Sequence, residues 1–272
     1  MQFYFRNSIV RRIRYYSEVD STQSIALSLA KKKSRDTHGT LILAGLQKNG
    51  RGRYDRQWIS PSGGIWLSLI LKPRMLVEQI TLLPLAVAVA VAETIITKTK
   101  LNPKLKWPND VLIDGKKLSG ILLDIDTEGE KVDYVVIGIG INVNVDSSQI
   151  SSKIASSDEL PITSLKEEMS GSTICRTEFI QLLLEKLNYY FTQLEDKESE
   201  GRKIVLSKYK DLSDTIGKEV SVKDQDEVFE GTAVDIDHDG SLVVRKPNNY
   251  MHRVVSADLF VRRIKINQKN VV

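Results

Sequence analysis

Three guanidinium groups and two glycines fall within one polar stretch, Gly50-Arg51-Gly52-Arg53-Tyr54-Asp55-Arg56, with Trp58 just beyond it. Arginine offers a rigid fork of donors that fits a carboxylate or a phosphate, and glycine lets the backbone come close to a ligand. Read from the residues alone, the stretch is either an anion clamp or a solvated loop. A tryptophan beside the cations adds a surface on which a flat ring can stack. No Gly-Lys-Ser/Thr closes it, so it is not a Walker A loop, and the third glycine of a dinucleotide fingerprint is missing; Gly138-Ile139-Gly140-Ile141-Asn142 fails that second test too. A second constellation is Lys106-Trp107-Pro108-Asn109-Asp110, followed by Lys117-Leu118-Ser119-Gly120-Ile121-Leu122. Pro108 stiffens the exit of a strand and presents an amide and a carboxylate, while Lys117 begins a strand in which Gly120 leaves room beside it. The bland alternatives are a simple turn and a solvated lysine face.

The elements that must position these groups follow from local pattern. Residues 9–16 read as a strand with a solvated, arginine-rich face, and Asp20, Ser21 and Thr22 offer N-caps to a helix with Ile25, Ala26, Leu29 and Ala30 inward. Its closing lysines, 31–33, suit the negative end of a helix dipole better than a phosphate site. Strands are predicted at 40–47, 65–71, 104–107, 110–113, 117–125 and 132–145, with Asp114-Gly115 as a hairpin turn. Residues 82–96 alternate Val and Ala like a strand, yet their length and alanine content favour a buried helix with Pro84 in its first turn; 176–194 is an amphipathic helix. From 216 onward short strands at 217–222, 228–236, 241–245, 252–255 and one ending near 266 indicate a small all-β barrel. The expected fold is α+β: a mixed sheet with flanking helices over 1–212, then a barrel over 213–272, with 195–201 and 211–214 bracketing the junction.

Composition excludes several classes. With 41% apolar and 27% charged residues the chain is globular, and a formal charge of +4 over 272 residues is only a mild attraction for polyanions. The apolar run 82–92 is far shorter than the roughly 20 residues of a membrane helix, and no signal-peptide pattern opens the chain. One cysteine, Cys175, allows no internal disulfide, and with His38, His238 and His252 it makes no zinc pattern. No membrane association is expected, and the cytoplasm is the expected compartment.

The order of the motifs is more specific than any one of them. Ser21-Thr22-Gln23, Gly50-Arg51-Gly52-Arg53 with Trp58 and Ser60-Pro61, Lys106-Trp107-Pro108-Asn109-Asp110, Lys117 with Gly120-Ile121-Leu122, and Gly138-Ile139-Gly140-Ile141-Asn142 together resemble the biotin protein ligases. Gly217-Lys218-Glu219-Val220 and Phe229-Glu230-Gly231 resemble that family's C-terminal SH3-like barrel. The resemblance implies a class II synthetase/lipoyl-ligase-like catalytic domain that uses ATP to activate biotin as an adenylate, then transfers it to a lysine of a biotin carboxyl carrier protein. Ser21, Thr22, Gln23, Gln47, Gly50, Arg51, Arg53, Lys117 and Gly120 would hold biotin. Arg53, Arg56, Trp58, Lys106, Asn109, Lys117, Asn142 and Arg262 would serve the nucleotide, and the arginine loop would close over the adenylate. Lys117, Arg53, Arg56 and Asp110 would be catalytic, and Asp110 would also meet Mg²⁺ held mainly by phosphates.

The chemistry agrees with acid-base arithmetic. A carboxylic acid of pKa about 4 to 5 is ionised at neutral pH and needs no base, only cancellation of repulsion between two anions. An acceptor lysine, with pKa about 10.4, is protonated more than about a thousand to one at pH 7, so a proton must leave in the second step. Asp110 either accepts it or has a metal or structural duty. Two residues depart from the family pattern: Gln23 stands where Asn is common, and Asp55 where Gly is frequent. The stretch before Tyr15 leaves no room for the winged-helix domain of repressor-type ligases, so transcriptional control is not expected, and a homodimer is implied by the resemblance. A lipoate or octanoate ligase or transferase is the nearest enzyme rival, and a barrel-bearing binding module the non-enzymatic one. Residues 213–272 hold nine Lys/Arg against ten Asp/Glu, too balanced for a nucleic-acid track.

Overall fold

The computed structural model describes residues 9–32, 37–152, 160–195, 200–224, 227–255 and 258–261. Strand β1 (Arg12–Val19) leads through helix α1 (Thr22–Ala30) to β2 (Thr40–Gln47) and β3 (Ile65–Leu71). After the single turn α2 (Val77–Ile80) and the long α3 (Leu83–Thr99) come β4 (Lys104–Lys106), β5 (Asp110–Ile113), β6 (Lys116–Glu128) and β7 (Lys131–Ile141). Two short turns, α4 (Ser148–Ser151) and α5 (Leu165–Glu168), precede helices α6 (Arg176–Glu195) and α7 (Glu200–Leu212). The chain then forms β8 (Glu219–Asp224), β9 (Glu227–Ile236), β10 (Leu242–Arg245), β11 (Met251–Val254) and β12 (Asp258–Val261).

The first seven strands make one mixed sheet in the order β1-β2-β3-β7-β6-β5-β4, parallel only between β1 and β2. The last five make a separate antiparallel sheet, β11-β10-β9-β8-β12. This is the α+β architecture predicted from the pattern.

Strand alternation sorts the side chains into two layers. Leu67, Leu69 and Leu71 of β3, with Val135, Ile137 and Ile139 of β7, face α3, α6 and α7 in the main core. The opposite face carries Ile70 and Val136, covered by Ala26 and Ala30 of α1. Helix α3 lies on the sheet under two other helices, so it is apolar around most of its circumference, which explains why its Val-Ala run carries no helical period. Asp114 and Gly115 both take positive φ, 47° and 73°, as a tight hairpin turn requires.

Several boundaries differ from expectation. β7 stops at Ile141 rather than continuing to 145, because Asn142 turns away to pair its backbone with Leu118 and Leu165. The polar stretch 195–201 does not end the helical layer. Val205 and Tyr209 of α7 are buried against it, an amphipathic spacing masked by a mean composition rich in lysine. The expected strand end near 266 falls outside the described residues.

Trp107 ties the two sheets together. It is 2% exposed; its backbone N–H donates to Thr215 Oγ1 (3.0 Å) and its indole N–H to the Gly240 carbonyl (3.0 Å). Asp214 N–H donates to the Leu105 carbonyl at 2.8 Å, and Lys210 pairs with Asp235 at 2.7 Å. Emptying that slot removes a large buried ring and orphans a carbonyl. Trp107→Ala is therefore expected to lower unfolding stability by about 3–5 kcal/mol in urea titration, and a loss below about 1 kcal/mol would contradict the docking role.

Candidate active site

The site lies on the α1 face of the seven-stranded sheet, where the covering helix ends. Residues directly opposite across a sheet share a face, so Ile70-Val136-Asp124, Ser68-Gly138-Leu122 and Trp66-Gly140-Gly120 form three successive rows. The first row packs under α1. In the next two the chain has Gly138, Gly140 and Gly120, so the surface sinks into a trough. A cavity of about 540 Å³ occupies it, of the size that holds a small organic ligand.

One end of the cavity is polar and built mainly from uncharged side chains. Ser21 caps α1, its hydroxyl accepting from Ser24 N–H at 3.4 Å, and this brings Thr22 and Gln23 to the wall. Gln47 Oε1 accepts from both the backbone N–H (2.8 Å) and the hydroxyl (3.0 Å) of Thr22. Gln47 Nε2 donates to Ser60 Oγ (2.8 Å), which donates to the Trp58 carbonyl (2.9 Å). Ser68 Oγ lies 2.9 Å from Thr22 Oγ1 and donates to Gln23 Oε1 at 2.8 Å. Gln23 Nε2 in turn reaches Asp124 Oδ2 at 2.8 Å.

The other end is cationic. Lys117 Nζ sits 2.8 Å from Asp110 Oδ1 as an ion pair, off the axis of a well-formed hydrogen bond, so that this buried oxygen keeps acceptor capacity. The same ammonium lies 5.3 Å from the Trp58 ring centroid, within cation–π range. Arg53 Nη1 donates to Asn109 Oδ1 (3.1 Å), and Asn109 Nδ2 donates to the Ile121 carbonyl (2.9 Å), which braces the turn after β4 against β6. The Arg53 guanidinium also lies over the ring of Tyr54, a residue at positive φ of 52°. Tyr209, fully buried behind the site, has its phenol held well above the ordinary range, first by burial and then by the charge of Asp110.

Ser21, Thr22, Gln23, Gln47 and Arg51 line the cavity together with Arg53, Arg56 and Trp58. Lys106, Asn109, Asp110, Lys117, Gly120 and Asn142 complete that part of the expected set. Gly50 is not on the wall. A side chain there would meet the Trp58 carbonyl at 2.3 Å, so the glycine serves the closing of its own loop. Trp58 is half-buried rather than exposed, its ring lying across Gly120 and Gly140, and its indole N–H has no partner. Asn142 Nδ2 donates to the Thr163 carbonyl (3.0 Å) and leaves its Oδ1 unpartnered. Arg262 and the side chain of Asp55 lie outside the described residues.

Sequence reasoning missed five contributors. Ser68 is the lone polar residue in an otherwise apolar strand, a legible signal; Gly138 and Gly140 share a face by their spacing of two. Asp124 and Lys223 carried no motif, and Lys223 of β8 is the C-terminal sheet's contribution to the wall. Among the described residues that line the cavity, Asp110 is the sole carboxylate. That donor set fits a Mg²⁺ arriving on a nucleotide, which keeps phosphate and water oxygens, and does not fit a resident metal. Among the described residues the one close Asp/His grouping, Asp237-His238-Asp239, lies in the turn between β9 and β10 and is tied to Arg253.

Comparison with known proteins bears on this arrangement. Residues 16–142 match the model of the biotin/lipoate A/B protein ligase family, and 215–262 match the biotin protein ligase C-terminal domain. The bifunctional ligase/repressor BirA of Bacillus subtilis is 34% identical over 247 residues, covering 90% of this chain and 72% of that protein. The chain belongs to the biotin protein ligase family. The biotin–[acetyl-CoA-carboxylase] ligase of Paracoccus denitrificans is 30% identical over 85% of this ligase and 93% of its own length. The biotin protein ligase of Aquifex aeolicus, solved with biotin and ATP, superposes with a TM-score of 0.75 at 27% identity, over 93% of this chain and 99% of that one.

The packing of Trp58 on the glycine floor of this ligase is directly testable. A methyl group at Gly140 would fall 2.3 Å from the indole nitrogen. Gly140→Ala is expected to expel the ring, lowering stability by about 1–3 kcal/mol and increasing acrylamide quenching of fluorescence. The other tryptophans, Trp66 and Trp107, are at most 2% exposed, so the added quenching should vanish in a Trp58→Phe background. Unchanged quenching contradicts this packing.

Proposed function

We propose that the cavity is the place where this ATP-dependent biotin protein ligase makes biotinyl-5′-adenylate and passes the biotinyl group to a carrier lysine. The observation that carries the reading is the convergence of Lys117 and Arg53, from separate strands and loops, on one cavity whose far end is mainly uncharged and hydrogen-bonding. In the first step a carboxylate oxygen of biotin bonds to the α-phosphorus of ATP and pyrophosphate leaves. Both reactants are anions. Lys117 and Arg53, with Arg56 and Lys106 on the same wall, would hold positive charge where the two meet, which is electrostatic catalysis by groups already in place. Bound to the triphosphate, Mg²⁺ supplies further neutralisation and a fixed phosphate geometry. Trp58 and Asn142 would hold the adenine side, and Ser21, Thr22, Gln23, Gln47, Arg51 and Gly120 the biotin side. Gly50 would act by letting its loop close.

In the second step the lysine nitrogen bonds to the acyl carbon, AMP leaves, and the ammonium proton must go to solvent or to a base. Asp110 already pairs with Lys117, so its first duty in this reading is to position that cation. The partner is a biotin carboxyl carrier protein; the relatives named as biotin ligases favour it over lipoate or octanoate transfer. No helix among the described residues is long and apolar enough to cross a membrane, which suits cytoplasmic work. Strand β1, an edge strand of the sheet among the described residues with Tyr15 exposed, is where a second copy would pair. We place the division of labour at 1–212 and 213–272, on the strength of the two separate sheets.

Mixing the protein with biotin, Mg-ATP and a carrier domain is expected to add the mass of one biotin, with octanoate and lipoate as negative controls. In the same assay Asp110→Asn is expected to slow adenylate formation at least as much as transfer, by about 10- to 100-fold. Normal adenylation with failed transfer would contradict the positioning role and return Asp110 to the part of a base.

A further inference from the structure

Lys117, the central cation of the proposed reaction, sits where the sheet runs out. On one side it lies opposite Leu112 of β5, but on the other the pairing of β6 with β7 begins only at Ser119, opposite Ile141. A strap, residues 160–164, takes up the free backbone edge instead. Lys117 N–H donates to the Pro161 carbonyl at 2.7 Å, and Thr163 N–H donates to the Lys117 carbonyl at 3.0 Å. The same strap holds Asn142, whose Nδ2 donates to the Thr163 carbonyl at 3.0 Å and whose Oδ1 is left without a partner. Leu160 and Ile162 of the strap line the cavity.

The strap needs anchors of its own. Its C-terminal end is fixed by Leu165 N–H donating to the Asn142 carbonyl and Lys166 N–H to the Val143 carbonyl, each at 2.9 Å. At the Lys117 end the anchor is a side chain. Neighbouring residues of a strand point to opposite sides, so Lys116 faces away from the cavity that Lys117 lines, and its Nζ meets Oε1 of Glu168 in α5 at 2.9 Å. That carboxylate oxygen also accepts the proton of the Thr163 hydroxyl, at 2.5 Å. Glu168 thereby clasps the strap to the residue next to Lys117. Its side chain is 12% exposed, and although burial acts to raise its pKa, the Thr163 hydroxyl and then Lys116 hold the carboxyl below its ordinary range. Thr163 is 1% exposed, so bulk water does not replace this bond once it is lost.

We propose that Glu168, a residue off the cavity wall, is a positioning residue for adenylate formation: through Thr163 it holds the strap that fixes Lys117 and Asn142 together, and so sets the spacing between the cation that meets the phosphates and the amide that meets the nucleotide. The inference rests on the adenylation reading above. It gives the nucleotide half of the cavity a support lying outside it. The neutral half, built on Thr22, Gln47 and Ser60, shares none of these bonds. Opening the clasp is therefore expected to act on Mg-ATP and on the chemical step, and to leave biotin binding alone.

Three variants test this. Glu168→Ala removes the acceptor, Glu168→Gln keeps it without the charge, and Thr163→Val removes the donor while keeping the shape. In adenylate formation Glu168→Ala and Thr163→Val are each expected to lower kcat and raise KM for Mg-ATP by about 10-fold, with KM for biotin near wild type. Glu168→Gln should recover most of both, because an ion pair to the half-exposed Lys116 contributes little. Combining Glu168→Ala with Thr163→Val should be no worse than either alone, since each removes the same bond. Wild-type kinetics in Glu168→Ala overturns the proposal, and so do additive losses in the double variant. Equal losses for Mg-ATP and biotin, with a lower melting temperature and no recovery in Glu168→Gln, overturn it also, since Glu168 would then only support the fold. A wild-type protein that makes no biotinyl-adenylate rejects the biotin reading itself, an outcome separate from these.

Discussion

A carboxylate and a triphosphate repel each other, and the protein must hold them in contact. Two unit charges at 4 Å oppose one another by about 4 kcal/mol where the effective dielectric constant is near 20. Uncompensated, that is about three decades of rate. In the mechanism proposed, the site needs fixed cations more than it needs a proton acceptor, and three from distant parts of the chain line the cavity: Arg53 from the loop after β2, Lys106 from β4, Lys117 from β6. An ammonium cannot simply be parked in a partly buried wall. Asp110 beside Lys117 and Asn109 beside Arg53 keep these cations placed in the meantime.

The same sheet face serves two incompatible needs. Under α1 it is packed with Ile42, Ile70 and Val136, and two residues further along the same strands it must be hollow. Substituting glycine at Gly138 and Gly140 hollows it without interrupting the ladder, since only the side chain is lost. Trp58 then lies across Gly120 and Gly140, and its unpartnered indole N–H with the free Oδ1 of Asn142 leaves polar capacity inside an otherwise apolar floor. Trp107 extends the arrangement to the second sheet, because the turn carrying Asn109 and Asp110 is anchored through it to Gly240 and Thr215.

Much of this was legible before any coordinates. Strands 40–47 and 65–71 coincide with β2 and β3 because long apolar runs bounded by polar residues leave little else to choose. The arginine loop and the Lys106 and Lys117 motifs were legible because charge and glycine together are rarely idle in one short segment. Helix α7 was not, since the only large side chains it buries fully are Val205 and Tyr209, among lysines. Asp124 and Lys223 were invisible for another reason: each matters through what lies opposite it in a sheet or across a cavity, and pairing register is not written in local composition.

The most direct measurement is the single-turnover rate of biotinyl-adenylate formation in Lys117→Gln at saturating biotin and Mg-ATP. Loss of an oriented cation at the meeting point of two anions is expected to slow this step by about 100- to 1,000-fold, with biotin affinity changed far less. Adenylate formation at near the wild-type rate would contradict the view that fixed positive charge, rather than a proton acceptor, makes this site work.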